Sequence, residues 1–95
     1  MTVPARTVRL RIAGRVQGVG YRAWAIRMAV SLALDGWVRN RSDGSVEALV
    51  TGARDAVATM IEACRQGPAG ACVTGVEISE GADDGSAGFT PRPTV

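Results

Sequence analysis

Apolar residues recur along this chain with two periods, and the switches between them outline the fold. From Thr7 to Ala13, Val8, Leu10 and Ile12 alternate with Arg9 and Arg11, the pattern of a half-buried strand. A glycine-rich stretch follows. Tyr21 to Leu34 then reads as a helix, with Ala25, Met28, Ala29 and Leu32 at helical spacing and Tyr21 and Trp24 beside them. Asp35-Gly36 ends that unit, and Trp37 to Asn40 starts a second strand. Ser42-Asp43-Gly44 is a hairpin turn signal, and Ser45 to Val50 returns as a third strand with Val46, Ala48 and Val50 on one face. Thr51-Gly52 is expected to open a second helix, Ala53 to Gln66, whose stripe is Val57, Met60, Ile61 and Cys64. Gly67-Pro68 stops it. A fourth strand spans about Ala71 to Ser79. Val73 and Val76 break its alternation, which places a bulge at Thr74-Gly75. Gly81 to Gly88 is a polar loop. Phe89 begins a short fifth strand that Pro91 and Pro93 confine to an edge.

The order βαββαβ predicts an α+β fold, the ferredoxin-like sandwich. Two helices cover one face of a four- to five-stranded, mainly antiparallel sheet. Residues 1–95 form one domain, with no internal repeat. In this arrangement the loop after the first strand lies near the end of the second, which brings Asn40 toward the glycine-rich stretch.

Composition narrows the chemistry. No run approaches the ~18 apolar residues of a membrane span, and the N-terminus lacks a secretion signal. A cytoplasmic, membrane-free protein is expected. Its 11 basic residues are all arginine. Residues 1–47 carry eight arginines against three acids, and residues 48–95 three against six, so a net +2 hides halves of +5 and −3. A positive half suits an anionic ligand but is too diffuse to argue for nucleic acid. The chain has no histidine, which removes imidazole acid–base catalysis and leaves Cys64 and Cys72 without the further Cys or His ligands of a zinc motif. Those two cysteines are expected as reduced, largely buried thiols.

Residues 14–22, Gly-Arg-Val-Gln-Gly-Val-Gly-Tyr-Arg, carry the densest chemistry. Glycines between a strand and a helix let successive N–H groups converge on an anion, and the helix start adds its own free N–H groups. Arg22, in the first helical turn, presents a fork suited to phosphate. The chain lacks the lysine of a Walker loop, and its glycine spacing departs from the dinucleotide fingerprint. The residues by themselves leave two readings open: an anion cradle, or a strand-to-helix turn beside an exposed arginine.

The segment Gly14 to Arg22, followed by Gly36-Trp-Val-Arg-Asn40 and Asp43-Gly-Ser-Val-Glu47, resembles the acylphosphatase family from about residue 8 to residue 89. The resemblance implies hydrolysis of small-molecule acyl phosphates to a carboxylate and phosphate, with no metal or cofactor. It implies a phosphoryl cradle made by Arg15, Val16, Gln17, Gly18, Val19 and Gly20. It assigns phosphate binding to Arg22 and positioning of the attacking water to Asn40. Nothing in the chain demands more than a monomer. Three departures from the family pattern stand out: Tyr21 replaces the usual Phe, Ala33 replaces the glycine of a Leu-Gly-Leu helix end, and the pair Pro91 and Pro93 weakens the last strand. Ala33 either accepts a left-handed conformation, at a cost of ~1 kcal/mol, or the helix ends differently. Two other functions compete. One is a non-catalytic anion-binding module, as in larger carbamoyl-transferring proteins, although those carry Arg-Pro-Phe where this chain has Arg22-Ala23-Trp24. The other is a ferredoxin-like RNA binder, which would need paired aromatics on exposed strands.

Overall fold

A computed structural model describes residues 5–95. Strict alternation makes β1, Ala5–Arg15, a central strand with one buried face. It pairs antiparallel with β3, Val46–Ala53, in a register that sets Val8 opposite Val50, Leu10 opposite Ala48 and Ile12 opposite Val46. These six side chains lie on one face of the sheet, and all are buried. The helices α1, Tyr21–Ser31, and α2, Arg54–Gln66, complete the core from above with Ala25, Ala29, Val57 and Met60. Each fully buried branched side chain contributes about 1.5–3 kcal/mol relative to exposure. With β2, Asp35–Asn40, β4, Cys72–Glu80, and β5, Phe89–Pro91, the sheet order is β4-β1-β3-β2-β5. All pairs are antiparallel except β2 with β5. This is the expected ferredoxin-like architecture. No helix among the described residues is long and apolar enough to cross a membrane.

Several boundaries differ from the sequence expectation. Thr51-Gly52 does not open α2, because both residues stay in the β3 ladder. The Thr51 and Thr7 hydroxyls are hydrogen-bonded at 2.9 Å, and Gly52 gives room to Leu34, whose Cδ2 would lie 2.5 Å from an added Cβ. β2 starts two residues early, since Asp35 and Gly36 pair with Thr51 and Val50. β1 runs on through Gly14 and Arg15, which pair with Val73 and Cys72.

Helix α1 stops at Ser31, three residues short of Leu34, and the reason is Ala33. Its φ is 56°, in the left-handed region. The N–H of Ala33 donates to the Val30 carbonyl at 3.1 Å and that of Leu34 to the Ala29 carbonyl at 2.9 Å. Those two bonds define a Schellman ending with alanine where glycine is usual.

The bulge in β4 lies where the sequence placed it. Ala13 pairs with Gly75 and Gly14 with Val73, so Thr74 has no partner across the ladder. The extra residue keeps both Val73 and Val76 against the core. It also turns Cys72 outward. Cys64 is buried, as expected, but Cys72 is exposed, because beyond the bulge it sits on the face away from the helices. Both thiols are free, and burial pushes the Cys64 thiol up to about 11.

That second face is polar and ordered. Glu47 is buried there and accepts from Arg9 at 3.0 Å, Arg39 at 2.8 Å and Arg41 at 3.2 Å. Burial works to raise its pKa, but the hydrogen bonds and charge of Arg39, aided by Arg9 and Arg41, hold it below the ordinary carboxylate value. Trp37 lies beneath the Arg39 guanidinium, 4.6 Å from ring centroid to Cζ, and donates Nε1–H to Asp84 at 3.1 Å. It therefore serves packing. Arg39 and Arg41 form ion pairs on this face.

Candidate active site

Two elements that the sheet brings together, the loop after β1 and the end of β2, form one cleft of about 350 Å³. The loop is anchored before it turns, because the Val16 side chain is buried in the core. Gln17 reaches sideways and donates from Nε2 to the carbonyls of Arg41, at 2.8 Å, and Ser45, at 2.9 Å. Gly18 and Gly20 have φ of 73° and 78°. Space is not their constraint, since nothing lies within 4 Å of a Cβ built on either. The left-handed backbone is what calls for glycine at both positions.

Gly20 is also the N-cap of α1 and brings no side chain to occupy the first-turn N–H groups. The first intrahelical bond is Trp24 N–H to the Gly20 carbonyl, at 3.0 Å. The N–H groups of Tyr21, Arg22 and Ala23 thus have no helical acceptor, and no acidic residue in the first turn offsets the positive helix end. Arg22 is exposed and forms no ion pair among the described residues. An arginine with five free donors beside N–H groups that lack a helical acceptor has the donor chemistry that an anion requires.

Asn40 ends β2, opposite Val46. Its side-chain amide makes no hydrogen bond among the described residues, while its backbone carbonyl accepts from Val95 at 3.2 Å. The tight β2–β3 turn beyond it is closed by Arg41 N–H to the Ser45 carbonyl at 2.8 Å. Asp43 stiffens it, accepting at Oδ1 from the backbone N–H and hydroxyl of Ser45. Those hydrogen bonds to Ser45, with the charges of Arg11 and Arg41, hold the Asp43 carboxyl below its ordinary value.

Of the residues singled out from sequence, Val16, Gln17, Gly18, Gly20, Arg22 and Asn40 line the cleft. Arg15 and Val19 do not. Arg15 is still strand, paired with Cys72, and Val19 packs against the core beside Gly70. Four lining residues were not anticipated. Ile26 follows Arg22 by one helical turn, and that spacing was a usable signal. Tyr21 and Ala23 flank Arg22 in the chain. Pro91 arrives from β5, and no local pattern announces it.

The Tyr21 hydroxyl donates to the Cys64 carbonyl at 2.7 Å, tying α1 to α2. Burial, with the nearby Cys64, raises the tyrosine pKa far above its ordinary value, so the phenol stays protonated and does not act as a base. Among the described residues, no carboxylate, thiol or imidazole lines the cleft. Among the described residues there is no group of three His, Cys, Asp or Glu side chains placed to hold a metal ion. The cleft can bind an anion through N–H donors and one guanidinium, hold a polar molecule on a side-chain amide, and accept an apolar group against Ala23, Ile26 and Pro91.

Comparison with known proteins points the same way. The family model described as Acylphosphatase matches residues 8–91. The chain is 53% identical over 91 residues to an acylphosphatase of Azorhizobium caulinodans, covering 94% of this chain and 97% of that one. It is 60% identical over 70 residues to an acylphosphatase of Rhizobium etli, 74% of either chain. Among solved structures, it resembles the crystal structure of acylphosphatase from Bacillus subtilis with a TM-score of 0.88 at 34% identity, over 94% of this chain and 99% of the other.

Proposed function

The chain belongs to the acylphosphatase family and is a hydrolase of acyl phosphates, and we propose that it works without a metal ion, through Arg22, Asn40 and the loop ahead of α1. The phosphoryl group sits in the cradle of N–H groups between Val16 and Gly20. Arg22 grips two of its oxygens with the guanidinium fork. Asn40 holds a water, since its amide both donates and accepts and has no hydrogen-bond partner among the described residues to give up. The water attacks phosphorus, the P–O bond to the acyl oxygen breaks, the carboxylate leaves with the bonding pair, and both protons of the water stay with the product as dihydrogen phosphate, one moving to a phosphoryl oxygen.

A carboxylate is a good leaving group, so no general acid is needed, in keeping with a cleft that holds none. Phosphoryl transfer runs through a loose transition state rich in negative charge, where positioning and electrostatic stabilisation dominate. Fixed N–H donors and Arg22 supply that stabilisation without reorganising. The observation that carries this reading is the meeting, in one cleft, of an arginine without an ion-pair partner, unused helix N-terminal donors and an uncommitted asparagine amide.

The decisive experiment is hydrolysis of benzoyl phosphate in excess EDTA. Turnover that EDTA leaves unchanged, with competitive inhibition by inorganic phosphate, is expected. Activity abolished by EDTA and restored by a divalent cation would refute metal independence. No turnover above background would refute the whole assignment.

A further inference from the structure

The Gln17 side chain is committed to protein partners, so any part this residue takes in the cradle falls to its backbone N–H. Both hydrogens of its amide nitrogen are used, one on the carbonyl of Arg41 and one on that of Ser45. Only Oε1 is left, and an acceptor oxygen repels phosphate rather than binding it. Gln17 is therefore not a phosphate ligand through its side chain.

Its two acceptors lie at the two ends of the β2–β3 turn. Arg41 directly follows Asn40, and its carbonyl also accepts from Gly44 N–H at 3.1 Å. The Ser45 carbonyl takes the Arg41 N–H that closes the turn. From the other side, Val95 donates to the Asn40 carbonyl and accepts from Ser42 N–H at 2.6 Å. Among the described residues, Gln17 makes the only hydrogen bonds between the glycine-rich loop and the turn that carries Asn40.

We propose that Gln17 is a positioning residue: its amide sets the distance between the N–H cradle and Asn40, so that the water on Asn40 stands in line with the phosphoryl group. The inference rests on the functional reading above. Two hydrogen bonds from one planar amide fix both separation and angle, and a shift of about 1 Å in a reacting group costs roughly 100-fold in rate. A staple that only stabilised the fold would be felt in unfolding and not in the division between kcat and phosphate affinity.

Two substitutions test this. Gln17→Met keeps the length and removes the donor. Its kcat for benzoyl phosphate should fall roughly 100-fold, while the inhibition constant of inorganic phosphate changes by less than about threefold, since the N–H groups and Arg22 are untouched. Gln17→Glu supplies a donor only when protonated. Its kcat should rise as pH falls through the glutamate pKa, a limb absent from the wild-type profile. The proposal is overturned if Gln17→Met retains wild-type kcat, if kcat and phosphate affinity fall together, or if Gln17→Glu lacks the acid limb. A phosphate titration followed by NMR separates this proposal from the assignment of function. The Asn40 side-chain amide resonances should shift with phosphate in the wild type and stay still in Gln17→Met, although phosphate binds both. If the wild type hydrolyses nothing, the functional reading fails, and equal Asn40 shifts in both proteins would still overturn the coupling.

Discussion

Replacing Ala33 with glycine should stabilise the protein without touching its activity. Ala33 is exposed and holds φ at 56° to complete the Schellman ending of α1. An L-residue with a Cβ gives up about 1–2 kcal/mol in that conformation. Glycine relieves the strain but adds freedom to the unfolded chain, which costs about 0.4–1 kcal/mol. Little buried surface is lost, because the methyl group faces solvent, and both backbone bonds can persist. The net gain is about 0.5–1 kcal/mol, or roughly 3–6 °C in Tm for a domain of this size. Thermal unfolding by circular dichroism, with urea unfolding as a check on ΔG, measures it directly. Ala33→Asn, better suited than alanine to this backbone, should move the same way. Ala33 is not part of the cleft, so kcat for benzoyl phosphate should match wild type. An unchanged or lower Tm for both variants would show that the helix end carries no such strain and would refute the reasoning.

The remaining expectations concern charge and the cleft. Arg22→Lys should recover little of the activity lost in Arg22→Ala, because one ammonium cannot reproduce a two-point grip; a loss on the order of 100-fold or more in kcat/KM is expected, and near-wild-type turnover would contradict it. Asn40→Ala should abolish measurable turnover yet keep phosphate binding by calorimetry, the split expected of a group that holds only the water. Glu47→Gln should cost on the order of 2 kcal/mol at pH 7 through weaker bonds to three guanidinium groups. Because the folded-state pKa of Glu47 is depressed, its stabilisation is present above the ordinary carboxylate pKa and is lost as pH falls through the lower folded value. The gap between wild type and Glu47→Gln in urea unfolding should therefore close in acid, and a gap constant with pH would count against it.

Much of the fold was legible because period-2 and period-3.6 stretches alternate cleanly, and the nearness of Asn40 to the loop followed from topology. What was misread shares a cause: local signals lost to pairing across the sheet. Thr51-Gly52 has the chemistry of a helix start, but the bond between Thr51 and Thr7 keeps it in the ladder. Cys72 was expected inside because it adjoins an apolar strand, and one bulged residue reverses its face. Pro91 enters the cleft through a parallel pairing with β2 that no local pattern encodes. The partners of the Gln17 side chain were not legible either, because the motif marks a loop without marking which side chains leave it, and those partners are backbone carbonyls far along the chain.

The same limit applies to the three glycines of the motif, which look alike in sequence and differ in physical task. Gly14 is strand, packed where β1 crosses the β4 bulge. A Cβ there would run into the Cys72 carbonyl oxygen and lie 2.8 Å from Thr74 N, both backbone atoms that cannot step aside. Gly20 has open space around it and needs only its left-handed φ. Gly14→Ala should therefore damage the sheet itself, lowering stability by several kcal/mol or preventing folding, as overpacking against backbone does at its upper end, ~3 kcal/mol or more. Gly20→Ala should remain folded with about 1–2 kcal/mol of strain and lose activity and phosphate affinity together, because the first-turn N–H groups of α1 would be re-aimed. Unfolding midpoints and phosphate calorimetry on the two variants separate the roles. A Gly20→Ala protein with intact phosphate binding would mean that the cradle does not depend on this backbone conformation.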